Sequence, residues 1–199
     1  MKKEFEYKII KKSLSKEICK LAFDYFKFRG NVAHYCYAHN AVVSNSYGIF
    51  NDPQVPGHFS IYADPLFELF LIQCKKVVEK NTKRKVFPSY SYGRLYEKGA
   101  ILAKHTDRQS CEISMTLNLG GDPWPIYLST KKKKNLKVSL AQGDILLYAG
   151  TKCAHWRYKF KGELCAQVFL HYVYQDGPYI NNRFDQRALL GLPSARNDF

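Results

Sequence analysis

From Val86 to Tyr174 the chain is a succession of short runs punctuated by Gly, Pro and Asp: VFPSYSYGRLYEKG, ILAKHTD, CEISMTLNLGGD, PIYLST, LKVSLAQGD, ILLYAG and LCAQVFLHYVY. Runs of this length, rich in β-branched and aromatic residues and bounded by turn formers, read as strands. The pattern therefore demands an all-β barrel or sandwich. The segment Lys131 to Lys134 falls between two of the runs, where a lysine cluster reads as an exposed turn that protects a sheet edge. No repeat of fixed period is present, which excludes a solenoid or propeller.

The residues before Val86 have a helical texture. Ser13 or Ser15 caps a helix in which Ile18, Leu21, Ala22, Tyr25 and Phe26 share a face, and Gly30 is expected to close it. Asn31 to Ser60 shows neither helical nor strand period and reads as loop or short irregular strands. Asp64 followed by Pro65 is an N-cap with a first-turn proline. Leu66, Phe67, Leu69, Phe70, Cys74, Val77 and Val78 then form an apolar stripe, with Lys83, Arg84 and Lys85 beyond its end, where cations suit the helix dipole. The tail after Asp176 either forms a short helix around Ala188 to Leu190 or wraps the barrel. With 199 residues, 46% hydrophobic and 15% aromatic, the chain is expected to be one mainly-β domain with flanking helices. Its expected parts are a helical and irregular portion over 1–85, a β core over 86–175 and a tail over 176–199.

Lys and Arg number 31 against 17 Asp and Glu, a formal net charge of +14. Such a surface attracts anions, so it is either a generic basic surface or a polyanion site; nucleic acid is compatible with the charge but no motif indicates it. Six cysteines are scattered without a CxxC pair, which argues against a zinc cage and for a reduced intracellular protein. The basic N-terminus lacks an apolar h-region and no run approaches the roughly 18 apolar residues of a membrane span. The expectation is a soluble, cytoplasmic protein with no membrane partner. GxSxG, GxxxxGK[ST], HExxH and GxGxxG are all missing, so hydrolase, P-loop and dinucleotide chemistries have no anchor.

The chemistry concentrates at His105-Thr106-Asp107. On an extended segment residues two apart point the same way, so both heads can meet one metal. Iron(II) that binds an oxidisable co-substrate and oxygen needs two imidazoles and one carboxylate on one face, with the remaining positions open. His155, in KCAHWRYKF after a separate strand, can supply the third ligand.

In their order, LYEKGAILAKHTD, QGDILLYAGTKCAH and GELCAQVFLHYV resemble the Fe(II)/2-oxoglutarate dioxygenases of the prolyl 4-hydroxylase type, over about Tyr90 to Tyr174. The resemblance implies a double-stranded β-helix, a jelly-roll of the cupin-like kind, with His105, Asp107 and His155 as ligands of Fe(II) and as the catalytic centre. It implies 2-oxoglutarate and O2 as co-substrates and hydroxylation of a peptidyl or small-molecule substrate. Tyr96 falls where these enzymes place a tyrosine on the 2-oxoglutarate carboxylate. They also carry a Lys or Arg on the strand after the distal histidine; here that register holds Leu164 or Cys165. Arg157, two residues beyond His155, is the first substitute for that cation, followed by Gln167 and His171 on the same strand face as Cys165. Arg108 is either an orienting group for an anion or an ordinary arginine near a turn, and Trp124 and Trp156 either line a mouth or fill the core. The rival readings are a non-catalytic β-barrel module that binds a polyanion, and an oxygenase that acts on nucleic acid.

Overall fold

The computed structural model describes residues 4–41 and 47–193. Two antiparallel sheets lie against each other, and from Val86 onward the chain passes back and forth between them. The larger sheet takes β1 (Tyr7–Ile10), β2 (Ser60–Tyr62), β3 (Val86–Glu97), β5 (Ile113–Gly121), β8 (Ile145–Tyr148) and β10 (Leu164–Tyr174) in the order β1-β8-β5-β10-β3-β2. The smaller takes β4 (Leu102–His105), β6 (Ile126–Ser129), β7 (Leu136–Val138) and β9 (Ala154–Arg157) in the order β4-β9-β6-β7. This is the expected double-stranded β-helix, with one addition. The portion before Val86 contributes β1 and β2, which form the two outer strands of the larger sheet.

Alternation along the strands assigns the two faces of the larger sheet. Met115, Leu117, Leu147, Val168 and Leu170 are buried on one face. This face packs against α1 (Lys16–Ala38) and α2 (Pro65–Thr82), and Tyr172 Oη donates to the carbonyl of Leu71 in α2 at 2.7 Å. The other face looks into the barrel and carries polar rows across the strands: Arg94, Gln167 and Asn118 in one row, His171, Ser114 and Tyr148 in another.

Both helices start where their caps predict. Ser15 Oγ accepts from the amide of Ile18 at 3.3 Å, and Asp64 Oδ1 accepts from the amide of Leu66 at 3.0 Å. The expected end of α1 was wrong. Gly30 lies inside the helix and is buried; a Cβ there would stand 3.2 Å from Phe59 and 3.3 Å from Leu95. Its lack of a side chain serves close packing of helix on sheet, and the helix runs eight residues further, to Ala38. Its buried face is Cys19, Ala22, Phe26, Gly30 and Ala33, one step around from the expected stripe, which leaves Ile18 and Leu21 exposed. The stretch beyond, once α1 ends, is irregular up to β2, apart from a bridge between Ile49 and Ser60; residues 42–46 lie outside the described residues.

The tail wraps the barrel. Its helical turn falls at Ile180–Gln186, earlier than expected, and Ala188 to Leu190 form bends and a turn. Lys131 to Lys134 form the exposed turn between β6 and β7. No helix among the described residues is long and apolar enough to cross a membrane, and all six cysteines are free.

Candidate metal centre

His105 ends β4 and His155 lies on the neighbouring β9, directly opposite it in the sheet register. Asp107 follows β4 by two residues. One ligand atom from each of the three lies within 4.8 Å of the others. Asp107 Oδ1 stands 3.6 Å from His105 Nε2 and 3.4 Å from His155 Nε2.

Each ligand is held by its far side. His105 Nδ1 donates to the carbonyl of Ala103 at 2.8 Å and His155 Nδ1 to that of Cys153 at 3.0 Å. Both bonds require the proton on Nδ1, which leaves both Nε2 lone pairs turned toward Asp107. Gln54 Nε2, at 3.0 Å from His105 Nε2, and buried Tyr148 Oη, at 3.2 Å from His155 Nε2, donate to those lone pairs. Asp107 Oδ2 accepts from Ser114 Oγ at 2.6 Å, and Ser114 in turn accepts from His171 Nδ1 at 3.0 Å. Gly150 comes so close that a Cβ would lie 2.5 Å from Asp107 Oδ2. Burial pushes the Asp107 carboxyl up, but when the neighbouring histidines are protonated their charge and hydrogen bonds, His155 first, outweigh that and hold it well below the usual carboxylate range. The same burial drives the His171 imidazole down to about 4, so it is neutral near pH 7.

A cavity of about 320 Å³ opens from the three ligands. Tyr90, Tyr92, Tyr96 and Phe169 give it aromatic walls, and Arg94 and Asp52 give it a charged side. Arg94 Nη2 bonds Asp52 Oδ2 at 2.6 Å, so that cation is already neutralised. Tyr96 is fully buried, with its hydroxyl 3.5 Å from Arg94 Nη1.

Arg157 is different. It is buried and bonds the carbonyl of Trp124 and, at 3.3 Å, Gln167 Oε1. No carboxylate among the described residues pairs with it, and its Nε has no hydrogen-bond partner. Desolvation lowers its pKa from the ordinary arginine value. Its guanidinium does not line the 320 Å³ cavity; it lies on the ring of Trp124, 4.9 Å from the centroid. Gln167 is the polar neighbour that holds it and bonds Asn118 at 3.1 Å, whereas His171 belongs to the Asp107 side.

Arg108 takes the structural role. It makes a two-pronged bond with Asp185 of the tail at 2.8 and 2.7 Å. Sequence reading missed Ser114, Tyr148, Gln54 and the Arg94–Asp52 pair. For Ser114 a signal existed: Ser114, Thr116 and Asn118 alternate as polar residues along an otherwise apolar, fully buried strand.

The donor set fits a divalent transition ion: two neutral imidazoles and one carboxylate, converging on one point with the cavity beyond it. The fold is shared with solved structures that superpose along most of the chain, among them proteins crystallised with 2-oxoglutarate. AviO1 from Streptomyces viridochromogenes matches with a TM-score of 0.62 at 11% identity, over 88% of this chain and 92% of its own. HygX from Streptomyces hygroscopicus, solved with nickel and 2-oxoglutarate bound, matches with a TM-score of 0.59 at 13% identity, over 86% and 84%. The viral collagen prolyl hydroxylase vCPH from Paramecium Bursaria Chlorella virus-1, a 2-oxoglutarate complex, matches with a TM-score of 0.56 at 11% identity, over 84% and 95%. No protein-family model matches the sequence, and no curated protein matches it either.

Proposed function

We propose that the chain is a non-haem Fe(II)- and 2-oxoglutarate-dependent dioxygenase that hydroxylates a peptidyl or small-molecule substrate, with His105, Asp107 and His155 holding the iron. The observation that carries this reading is the complete ligand set with each ligand braced from behind, since bracing of this kind is how proteins tune a metal site. A vestigial triad in a purely binding module would not need it. Iron held by these three residues would, with 2-oxoglutarate and O2, supply the oxidising chemistry, in which the co-substrate is consumed as succinate and CO2.

The chain's own residues bind and orient. Arg157 is the cation we assign to the distal carboxylate of 2-oxoglutarate, which would have to reach beyond the cavity's own lining to meet it; a buried guanidinium without an anion carries a desolvation cost that a carboxylate would offset. Tyr96 donates its phenol to the same co-substrate, and Gln167 steadies the guanidinium. His171 acts through Ser114 on Asp107. The aromatic walls around Tyr90, Tyr92 and Phe169 exclude water from the substrate side. A small-molecule substrate is supported by HygX, solved with hygromycin B bound, and a peptidyl one by the viral collagen prolyl hydroxylase. The six free thiols support a reducing, cytoplasmic setting.

The test is anaerobic titration of the Fe(II)-loaded protein with 2-oxoglutarate, followed by the visible charge-transfer band that bidentate chelation produces. The band is expected in the wild type and lost in His105→Ala and Asp107→Ala. Iron binding without any band would overturn the co-substrate. In Arg157→Ala the band should need about 10- to 100-fold more 2-oxoglutarate, the loss of one charge-assisted pair, while iron affinity stays unchanged. An unchanged 2-oxoglutarate affinity would remove Arg157 from this role.

A further inference from the structure

Away from the metal cavity, a groove of about 1060 Å³ runs along the outside of β1, and none of its lining residues is shared with that cavity. One wall is the turn between β6 and β7, from Thr130 to Lys133; the other is the end of α2 and the residues after it, Asn81 to Arg84. Phe5, Tyr7, Ile9 and Tyr174 supply its apolar and aromatic lining.

Its charge is lopsided. Lys8, Lys83, Arg84, Lys131, Lys132 and Lys133 face two carboxylates, Glu4 and Glu6. Glu4 is already bonded to Lys131 at 2.7 Å and to Lys152, and Glu6 accepts from the backbone amide of Lys131 at 3.0 Å. Arg84 pairs with Asp176 at 2.6 Å and lies flat on Tyr174, 3.5 Å from its ring centroid. The exposed ammonium groups of Lys8, Lys83, Lys132 and Lys133 have no acidic partner among the described residues. Four uncompensated cations, Lys132 and Lys133 on one wall, Lys83 on the other and Lys8 on β1 between them, concentrate field lines in the groove.

We infer that this groove, formed by Lys8, Lys83, Lys132 and Lys133 around Phe5, Tyr7 and Tyr174, binds single-stranded nucleic acid as an anchoring surface separate from the metal cavity. Facing lysine walls suit a phosphate backbone that threads between them, and counterion release from that backbone supplies the affinity. The aromatic lining distinguishes this ligand from other anions. Bases of a single strand can turn inward and stack on half-buried Tyr7 and on the outer face of the Arg84 guanidinium, whose inner face covers buried Tyr174, whereas a duplex keeps its bases covered and an acidic peptide has no faces to stack. The concave shape also disfavours a flat lipid surface.

The experiment is fluorescence anisotropy of a short labelled single-stranded oligonucleotide with the full-length protein, read at several salt concentrations between about 50 and 200 mM. The combined Lys132→Ala and Lys133→Ala variant should weaken binding about tenfold or more and reduce the log–log salt slope by about 0.7 for each lysine that neutralised a phosphate. Adding Lys8→Ala and Lys83→Ala should weaken it further. A control with equal charge loss elsewhere, Lys16→Ala with Lys27→Ala on α1, should bind nearly as the wild type does, and so should His105→Ala. Equal weakening by the α1 control would overturn the groove in favour of diffuse charge. A hairpin duplex that binds as tightly, or polyglutamate that competes as well as unlabelled single strand, would overturn the choice of ligand. Binding that vanishes in His105→Ala would return the polyanion to the metal cavity and overturn the separation of the two sites.

Discussion

Asp107 has two oxygens in two environments, and Ser114 makes the difference. Oδ1 faces both histidines while Oδ2 is tied at 2.6 Å to a hydroxyl that is itself held by His171. A carboxylate fixed in this way presents one oxygen and loses little freedom on binding an ion. Ser114→Ala should therefore lower divalent-metal affinity about 10- to 100-fold, and Ser114→Thr should restore most of it. Isothermal titration with Ni(II) reads both, and an alanine variant with wild-type affinity would reduce Ser114 to packing. The convergence of His105 and Asp107 was legible in the sequence because residues two apart on an extended segment fall to one side, whatever the rest of the fold does. Their supports were not. A serine within a strand is ordinary, and nothing in one sequence tells which of several hydroxyls a register will bring beside a carboxylate. Arg157 lay between these cases: its place two residues from His155 put it on the same strand face, but its lack of an acidic partner emerges only from the packing.

Among the elements, the tail shows how the fold fastens a segment that has little regular structure. Phe184, Asp185 and Gln186 have φ of 52°, 54° and 66°, a left-handed run that L residues adopt only when their surroundings hold them. Asp185 is the main restraint, accepting from Tyr62 Oη at 2.8 Å and from both ends of the Arg108 guanidinium. Arg187 then pairs with buried Glu68 of α2 at 2.9 Å. Burial pushes the Asp185 carboxyl up, yet the Arg108 hydrogen bonds and charge bring it from 3.8 down to about 2. A carboxyl whose pKa falls on folding stabilises the native state above its unfolded pKa, and that gain is lost as pH drops through the folded value. Asp185→Asn should thus cost about 1–2 kcal/mol near neutral pH, allowing for the partial exposure of Arg108. The gap between variant and wild type should close as pH falls from about 4 toward 2, as read by urea midpoints. A gap that did not change with pH would show the bond to be neutral in effect. This latch was invisible in the sequence, where Arg108 and Asp185 are 77 positions apart. Asp64-Pro65, by contrast, announced α2 because a cap is a local event. The end of α1 was misjudged for the same reason in reverse: Gly30 looks like a local stop but answers a distant demand from Phe59 and Leu95.

At the scale of the whole molecule, the ligands and their supports come from different layers. His105 and His155 belong to the smaller sheet, and Ser114, Tyr148 and His171 to the larger. An ion bound only by the native state stabilises it by mass action, about 2.7 kcal/mol at a hundred times its dissociation constant. For a chain of this size that corresponds to roughly 5–10 °C in Tm. Differential scanning fluorimetry with Ni(II) should show that rise in the wild type and none in Asp107→Ala; an equal rise in both would place the ion elsewhere. A β-rich barrel or sandwich was readable from turn spacing, since short runs joined by tight turns have few ways to close, but which strand joins which sheet was not. The outer strands β1 and β2 were not, because three or four residues carry too little pattern to stand out from a loop.

The arrangement across two layers also bears on motion. A metal ion seated at that seam works as a rivet through two plates, so its arrival should be felt as stiffness along the seam as well as chemistry at its centre. Amide protons of β4 and β9 near His105 and His155, and of β5 near Ser114, would then exchange in step with one another, slowly in the loaded protein and quickly once a chelator draws the rivet out.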